Sequence, residues 1–464
     1  MLIGPFGILA LSVLLIVLAI GFLRLPAFLA LILGALFVGL LAATGHTGPH
    51  RYLEAVTQMT ADFGAGAGKI GLTIALAAII GCSLMESGAA DKIVRRLMGA
   101  VGEKHAALAL LVSSFLLAGP VFTDMVMLLL LPIARAVSFR TGRNCLLFIL
   151  AVGAGAIITN GTVPPAPGPL MVAEAFKLNL GLVIAAGFAF GVLPGAIALA
   201  GAKAFDRRMP IALRPTPGVS LEALGATAGR PETALPGFWV SVAPVLVPFL
   251  LIGAASFLAI PRLPLPLPTS AAAAVEFFGD KNIALGLGAV IALSVHARQA
   301  RLGWRGIGPL LAGPLEMAGV IILIISAGNA YGEMVKRAGL GGAVRDLAGG
   351  HALNFVLLGW GFCALLRVAQ GSATVAMITA ASIVQSIAGP AGFGVHPLYV
   401  MLAIGYGSKF LPWMNDAGFW LVTRVGGITV GEALRSWSIL ACIISLIGLA
   451  EVFIVSSLWP HPGR

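Results

Sequence analysis

With 464 residues, 59% of them hydrophobic and only 10% charged, and a mean hydropathy of +1.02, the chain is not a soluble globular domain, in which about 25% of residues are charged. The net charge of +11 is not a nucleic-acid signature, because the basic residues gather in short loops between apolar stretches, the positive-inside pattern of a membrane protein. Cys82, Cys145, Cys363 and Cys442 stand singly in apolar segments without CxxC spacing, which argues against a disulfide framework or a metal site and for small packing residues.

In chain order the first apolar segment, residues 2–23, has no basic region before it and exceeds a signal-peptide core, so it reads as a retained span. Further spans are expected at 26–44, 70–88, 145–168, 180–203, 236–258, 283–297, 309–328, 397–420 and 436–458. Between 70–88 and the next apolar stretch, Ile93, Val94, Leu97, Met98 and Val101 make one helical stripe with Lys92, Arg95 and Arg96 off it, as in an interfacial helix. The stretches 105–137 and 353–387 are apolar for 33 and 35 residues but carry polar or small residues at their middles, GPVFTD and QGSAT. Two full crossings with a turn need about 40 residues, so each is expected to be a re-entrant hairpin.

Shifting the chain by about 252 residues overlays these features: Gly119 falls on Gly371, Gly153 and Gly155 on Gly405 and Gly407, and the interrupted segment 155–170 on 405–420. The predicted fold is therefore an all-α polytopic membrane protein of two repeats, 1–203 and 236–464, each with about five spans and one hairpin, joined by a cytoplasmic linker at 204–235. An odd number of spans per repeat makes the second inverted relative to the first, a recurring plan of secondary transporters. Arginines crowd the loops containing Arg135, Arg140 and Arg143, then Arg207, Arg208, Arg214 and Arg230, then Arg298, Arg301 and Arg305; those loops are expected on the cytoplasmic face, with both termini outside.

The interruptions carry the candidate chemistry. The broken helices are expected at 145–168 and 397–420, where glycine and proline leave backbone groups that survive in a membrane only beside protein or a water-filled cavity. Asp124, with Thr123 beside it, lies at the middle of the first hairpin; an intramembrane carboxylate is a functional candidate and a possible proton carrier, with helix capping as its alternative. Asn160, Gly161 and Thr162 precede PPAPGP, either as ligand contacts or as a plain helix end. Gly371, Ser372, Ala373 and Thr374 occupy the second hairpin tip, where amides at a helix N-terminus can face an anion. Asn415 and Asp416 follow the second break, Asp416 being the other proton-carrier candidate or a cap. Arg367 can neutralise a substrate carboxylate, pair with Asp124 or Asp416, or snorkel; Glu316, near the end of its span, reads as interfacial. No HExxH, phosphate-binding GxxxxGK[ST] or clustered metal-ligand set appears, so neither an enzyme nor an ATP-driven pump is expected, and no cofactor.

Several of these segments form a recognisable series: LMESGAADKIVRRLMGAVGEKHA at 84–106, then FTDMVMLLLLPIA, TVPPAPGPL, RVAQGSATVA and NDAGFWLV. In this order they resemble the gluconate permease family of proton symporters, part of an ion-transporter group built from scaffold and moving transport domains. The resemblance covers most of the chain. It implies elevator-type import of a small hydroxylated carboxylate with a proton, in the inner membrane, by a homodimer held through its scaffold helices. Carried over by position, the binding candidates are Thr123-Asp124, Asn160-Gly161-Thr162, Gly371 to Thr374 and Asn415-Asp416. The family usually has two aromatics before the first acid, and its members often have a His in the stretch that aligns with Asn160 and Pro where Ala417 stands. These departures leave the solute open among gluconate, another short hydroxy acid and D-serine, and sodium remains the rival coupling ion; a passive channel or an intramembrane enzyme is the reading from another class.

Overall fold

The computed structural model describes residues 4–44, 50–102, 105–119, 121–142, 144–215, 235–258, 268–302, 306–339, 343, 354–389 and 392–460. Pro120 of the expected first hairpin tip, most of the expected linker (216–234) and the loop at 259–267 lie outside them. Among the described residues every regular element is a helix. The first half contains α1 (Pro5–Gly21), α2 (Ala27–Ala43), α3 (Arg51–Glu86), α4 (Ala89–Val101), α5 (Ala106–Leu117), α6 (Thr123–Thr141), α7 (Cys145–Thr162), α8 (Pro167–Ala175) and α9 (Leu180–Arg208). The second contains α10 (Phe238–Leu258), α11 (Thr269–Gly279), α12 (Lys281–Gln299), α13 (Ile307–Arg337), α14 (Phe355–Gln370), α15 (Ala373–Ala388), α16 (Pro397–Gly407), α17 (Ala417–Arg424) and α18 (Val430–Leu458, with one π turn at Leu434–Ser438).

Six of these helices, or seven if the bent pair α11–α12 counts as one span, are long and apolar enough to cross a membrane among the described residues; the α7–α8 segment counts as one of them. Leu14 and Leu18 on α1, and Val192, Leu250, Val290, Val320 and Ile454 on longer helices, stand exposed, large apolar side chains suited to lipid rather than water. The protein is thus an all-helical polytopic membrane protein. Several helices exceed their expected limits. The span read as beginning at residue 70 is a 36-residue helix from Arg51, because charge at Arg51, Glu54, Asp62 and Lys69 lowers hydropathy without breaking a helix. Arg337 pairs with Asp62, and Asn329 Nδ2 donates to the Asp62 carbonyl at 2.8 Å, so that polar portion is held by α13. Residues 204–208, read as the start of the linker, complete α9. The interfacial stripe at 93–101 lies on α4, with Ile93 and Val94 buried.

Two sets of contacts place the site. Long helices α3 and α13 lie against one another, with α2 on α13 and α12 on α3. At their contact Gly66 faces the Ser326 Cα, where a Cβ would come to 3.1 Å. The second set is centred on α7 and α16. Helix α7 is apolar on all sides and buried almost throughout, as expected of a helix enclosed by others. It meets α16 through glycine: a Cβ on Gly405 would lie 2.2 Å from the Gly161 carbonyl oxygen. Gly155 likewise brings α7 onto the Leu111 carbonyl of α5, and Gly407 brings α16 onto the Trp360 carbonyl of α14. Backbones this close require small residues, as at helix crossings in membranes generally.

Candidate functional site

Where α5–α6 and α14–α15 turn, and where α7–α8 and α16–α17 are interrupted, the chain encloses one cavity of about 600 Å³, within the usual size of a small-molecule site. Each interruption has a local cause. Pro164 and Pro165 have no amide hydrogen, and α7 ends at Thr162 just before them. Pro412 lies in the nonhelical stretch after α16, and Asp416 restarts the chain as α17 by accepting from the Phe419 amide at 2.7 Å. At the α14–α15 turn Gly371 has φ +83°, a conformation that favours glycine, and a Cβ there would lie 2.1 Å from the Asn415 carbonyl oxygen. The turn and the break are thus seated on each other. Asn415 Nδ2 and Trp413 Nε1 both donate to the Val368 carbonyl, each at 2.9 Å.

Most of the residues singled out from the sequence line this cavity: Thr123 and Asp124 from the first turn of α6, Asn160 from α7, Gly371 to Thr374 from the second turn, and Asn415 and Asp416 after the second break. Gly161 and Thr162 do not. Gly161 faces α16, and the Thr162 hydroxyl donates to the Ile158 carbonyl of its own helix at 2.9 Å. Glu316 is exposed on α13, outside the lining, although its neighbour Met317 belongs to it. Ser372 caps α15, accepting from the Val375 amide at 3.3 Å.

Charge is concentrated here. Arg367 is 5% exposed and donates through Nη2 to Asp416 Oδ2 at 2.6 Å, the pairing option that keeps both partners in the second half. With Oδ1 capping α17, both Asp416 oxygens are engaged. Asp124 opens into the cavity and has no hydrogen bond or ion pair to any described residue; the Thr123 hydroxyl is buried without a partner. Sequence reasoning passed over Lys409, a cavity-lining side chain that is 4% exposed. Its signal in the sequence is a lysine within the apolar run 397–413, beside glycines and a proline that by themselves account for a helix break. Such a set can present a cation to an anionic solute and a carboxylate to a proton. Among the described residues no group of three His, Cys, Asp or Glu side chains could hold a metal ion.

Comparison with known proteins places this architecture. The sequence model of the GntP family permeases matches residues 5–458. The chain is 32% identical to a gluconate permease of Pseudomonas aeruginosa, with 93% of each chain covered. It is 28% identical to the high-affinity gluconate transporter of Escherichia coli (97% of this chain, 99% of that one) and 29% identical to the Gnt-II system L-idonate transporter of the same organism (96% and 97%). In fold it is similar to the Alcanivorax borkumensis YdaH transporter, with a TM-score of 0.67 at 16% identity, over 94% of this chain and 99% of the other. Neisseria gonorrhoeae MtrF, described as one of a class of antimetabolite efflux pumps, has a TM-score of 0.67 at 17% identity, over 95% and 96%.

Proposed function

The chain belongs to the GntP permease family, a family of transporters rather than enzymes, and from that premise we propose that it imports a sugar acid, or a short hydroxy acid of similar shape, by proton symport. The observation that carries this reading is the single cavity bordered by both helix turns and both helix breaks, holding two acids and two bases of which only one of each are paired. The relatives named for gluconate and L-idonate support a polyhydroxylated carboxylate as solute. Hydroxyl and amide groups of Asn160, Ser372, Thr374 and Asn415 suit its hydroxyls, and Asp124 is the proton carrier. Asp416, occupied as cap and ion-pair partner, is the weaker of the two carriers named from the sequence.

The architecture follows the same reading. Helices α5, α14 and α15 have 12, 16 and 16 residues, or about 18 and 24 Å at 1.5 Å per residue, less than the roughly 30 Å of hydrocarbon; the remaining arm, α6, is longer at 19 residues. That supports re-entrant hairpins at 105–137 and 353–387. The matching contacts of Gly155 on α5 and Gly407 on α14, 252 positions apart, support two inverted repeats, 1–203 and 236–464. The α3–α13 set then serves as scaffold, with Met317, Ile321 and Ile324 of α13 forming part of the cavity wall; the hairpins and broken helices form the unit that moves in an elevator cycle, in an inner membrane with both termini outside.

Reconstituted vesicles test the proposal. An acid-outside gradient in sodium-free buffer should drive accumulation of labelled gluconate above equilibrium. Accumulation only with a sodium gradient would replace the proton by sodium, and equilibration without accumulation would make the protein a passive channel.

A further inference from the structure

Of the roles the sequence leaves open for Arg367, the structure shows pairing: its charge is answered by Asp416 at 2.6 Å, and its Nε and Nη1 are buried without hydrogen-bond partners. The other base of the cavity is placed differently. Lys409 follows the end of α16, with its stem laid across the α7–α16 crossing. A Cβ on Gly161 would lie 2.4 Å from its Cε and 2.8 Å from its Nζ, so it is the missing side chain at Gly161 that makes room for this lysine. The ammonium has neither a hydrogen bond nor an ion pair to any described residue, although the side chain is almost wholly enclosed and lines the cavity. A buried cation is stable only when paired. Asp416, the carboxylate in its electrostatic neighbourhood, is engaged by Arg367.

We propose that Lys409 is the residue that receives the carboxylate of the solute, with Gly161 as the positioning residue that lets its ammonium reach the cavity. The inference rests on the transport reading and deepens it, since it says which end of a hydroxylated acid points at the α7–α16 crossing. It also gives Gly161 a part in the site without contact with the solute. A bound carboxylate completes the pairing of the cavity: Asp416 answers Arg367, and the solute answers Lys409.

The test is binding to purified full-length protein, read as thermal stabilisation against ligand concentration, with gluconate and its uncharged analogue gluconamide as probes. The parent should bind gluconate at least about tenfold more tightly than gluconamide, the smaller end of what a charge-assisted hydrogen bond confers. Lys409→Gln and Lys409→Met, which keep most of the stem over Gly161, should lose about 10- to 100-fold for gluconate and leave gluconamide binding little changed. Either variant binding gluconate within about twofold of the parent would overturn the assignment while leaving the transport reading intact. A parent that prefers neither probe also overturns it, whatever the variants do. A parent that responds to no hydroxy acid at all would instead bring down the transport reading and this inference with it.

Discussion

At the scale of single residues the cavity is a problem in charge pairing. Arg367 and Asp416 are nearly enclosed, at 5% and 14% side-chain exposure, so removing one leaves the other desolvated and alone. Asp416→Asn keeps an oxygen to cap α17 but strands Arg367, and is expected to destabilise the protein by about 3 kcal/mol. Adding Arg367→Met should recover a good part of that loss. Thermal unfolding in detergent of the two single variants and the double variant checks this; simple additivity would mean that the pair is not coupled. Asp124 was legible because a carboxylate inside a long apolar stretch has few structural explanations. Lys409 was equally visible but lay in a segment whose glycines and proline already accounted for its polarity. Which face of α7 meets the cavity was not legible. Ile157 and Asn160, three residues apart, share the cavity face, while Gly161, one position on, turns to α16.

At the scale of elements, interruptions were easier to read than helix lengths. Hydropathy located the breaks at Pro164-Pro165 and Pro412, because proline and glycine act through local backbone chemistry. It misplaced the start of α3 by 19 residues, since the partner that holds the polar portion, Arg337, is 275 residues away in sequence. The same nonlocality governs the glycine contacts. Gly405→Ala would drive a Cβ to 2.2 Å from the Gly161 carbonyl, backbone that cannot rotate aside. The expected penalty is about 1–3 kcal/mol from overpacking, seen as a lower unfolding midpoint. Gly431→Ala, with nothing within 4 Å of its Cβ, should leave the midpoint nearly unchanged and serves as the control. Equal midpoints for the two would show that α7 and α16 do not meet as described.

At the scale of the molecule the four cavity charges set the electrical character of the cycle. Asp124 and Asp416 with Arg367 and Lys409 sum to zero when each carries its ordinary charge. One bound carboxylate with one proton leaves that sum unchanged. On the proposed symport, the loaded and empty forms would cross the membrane without net charge, avoiding the roughly 2.3 kcal/mol per 100 mV that each uncompensated charge incurs. Acid-driven uptake into vesicles should then respond to the pH gradient and be nearly insensitive to a potassium-diffusion potential. Strong acceleration by an inside-negative potential would require a second co-transported cation.

Proton coupling through Asp124 is the central claim, and gluconate accumulation by vesicles carrying Asp124 variants tests it most directly. With an acid-outside gradient and no sodium, the parent should concentrate labelled gluconate, Asp124→Glu should do so in part, and Asp124→Asn should not rise above equilibrium. Gradient-driven accumulation by Asp124→Asn equal to that of the parent would contradict the account.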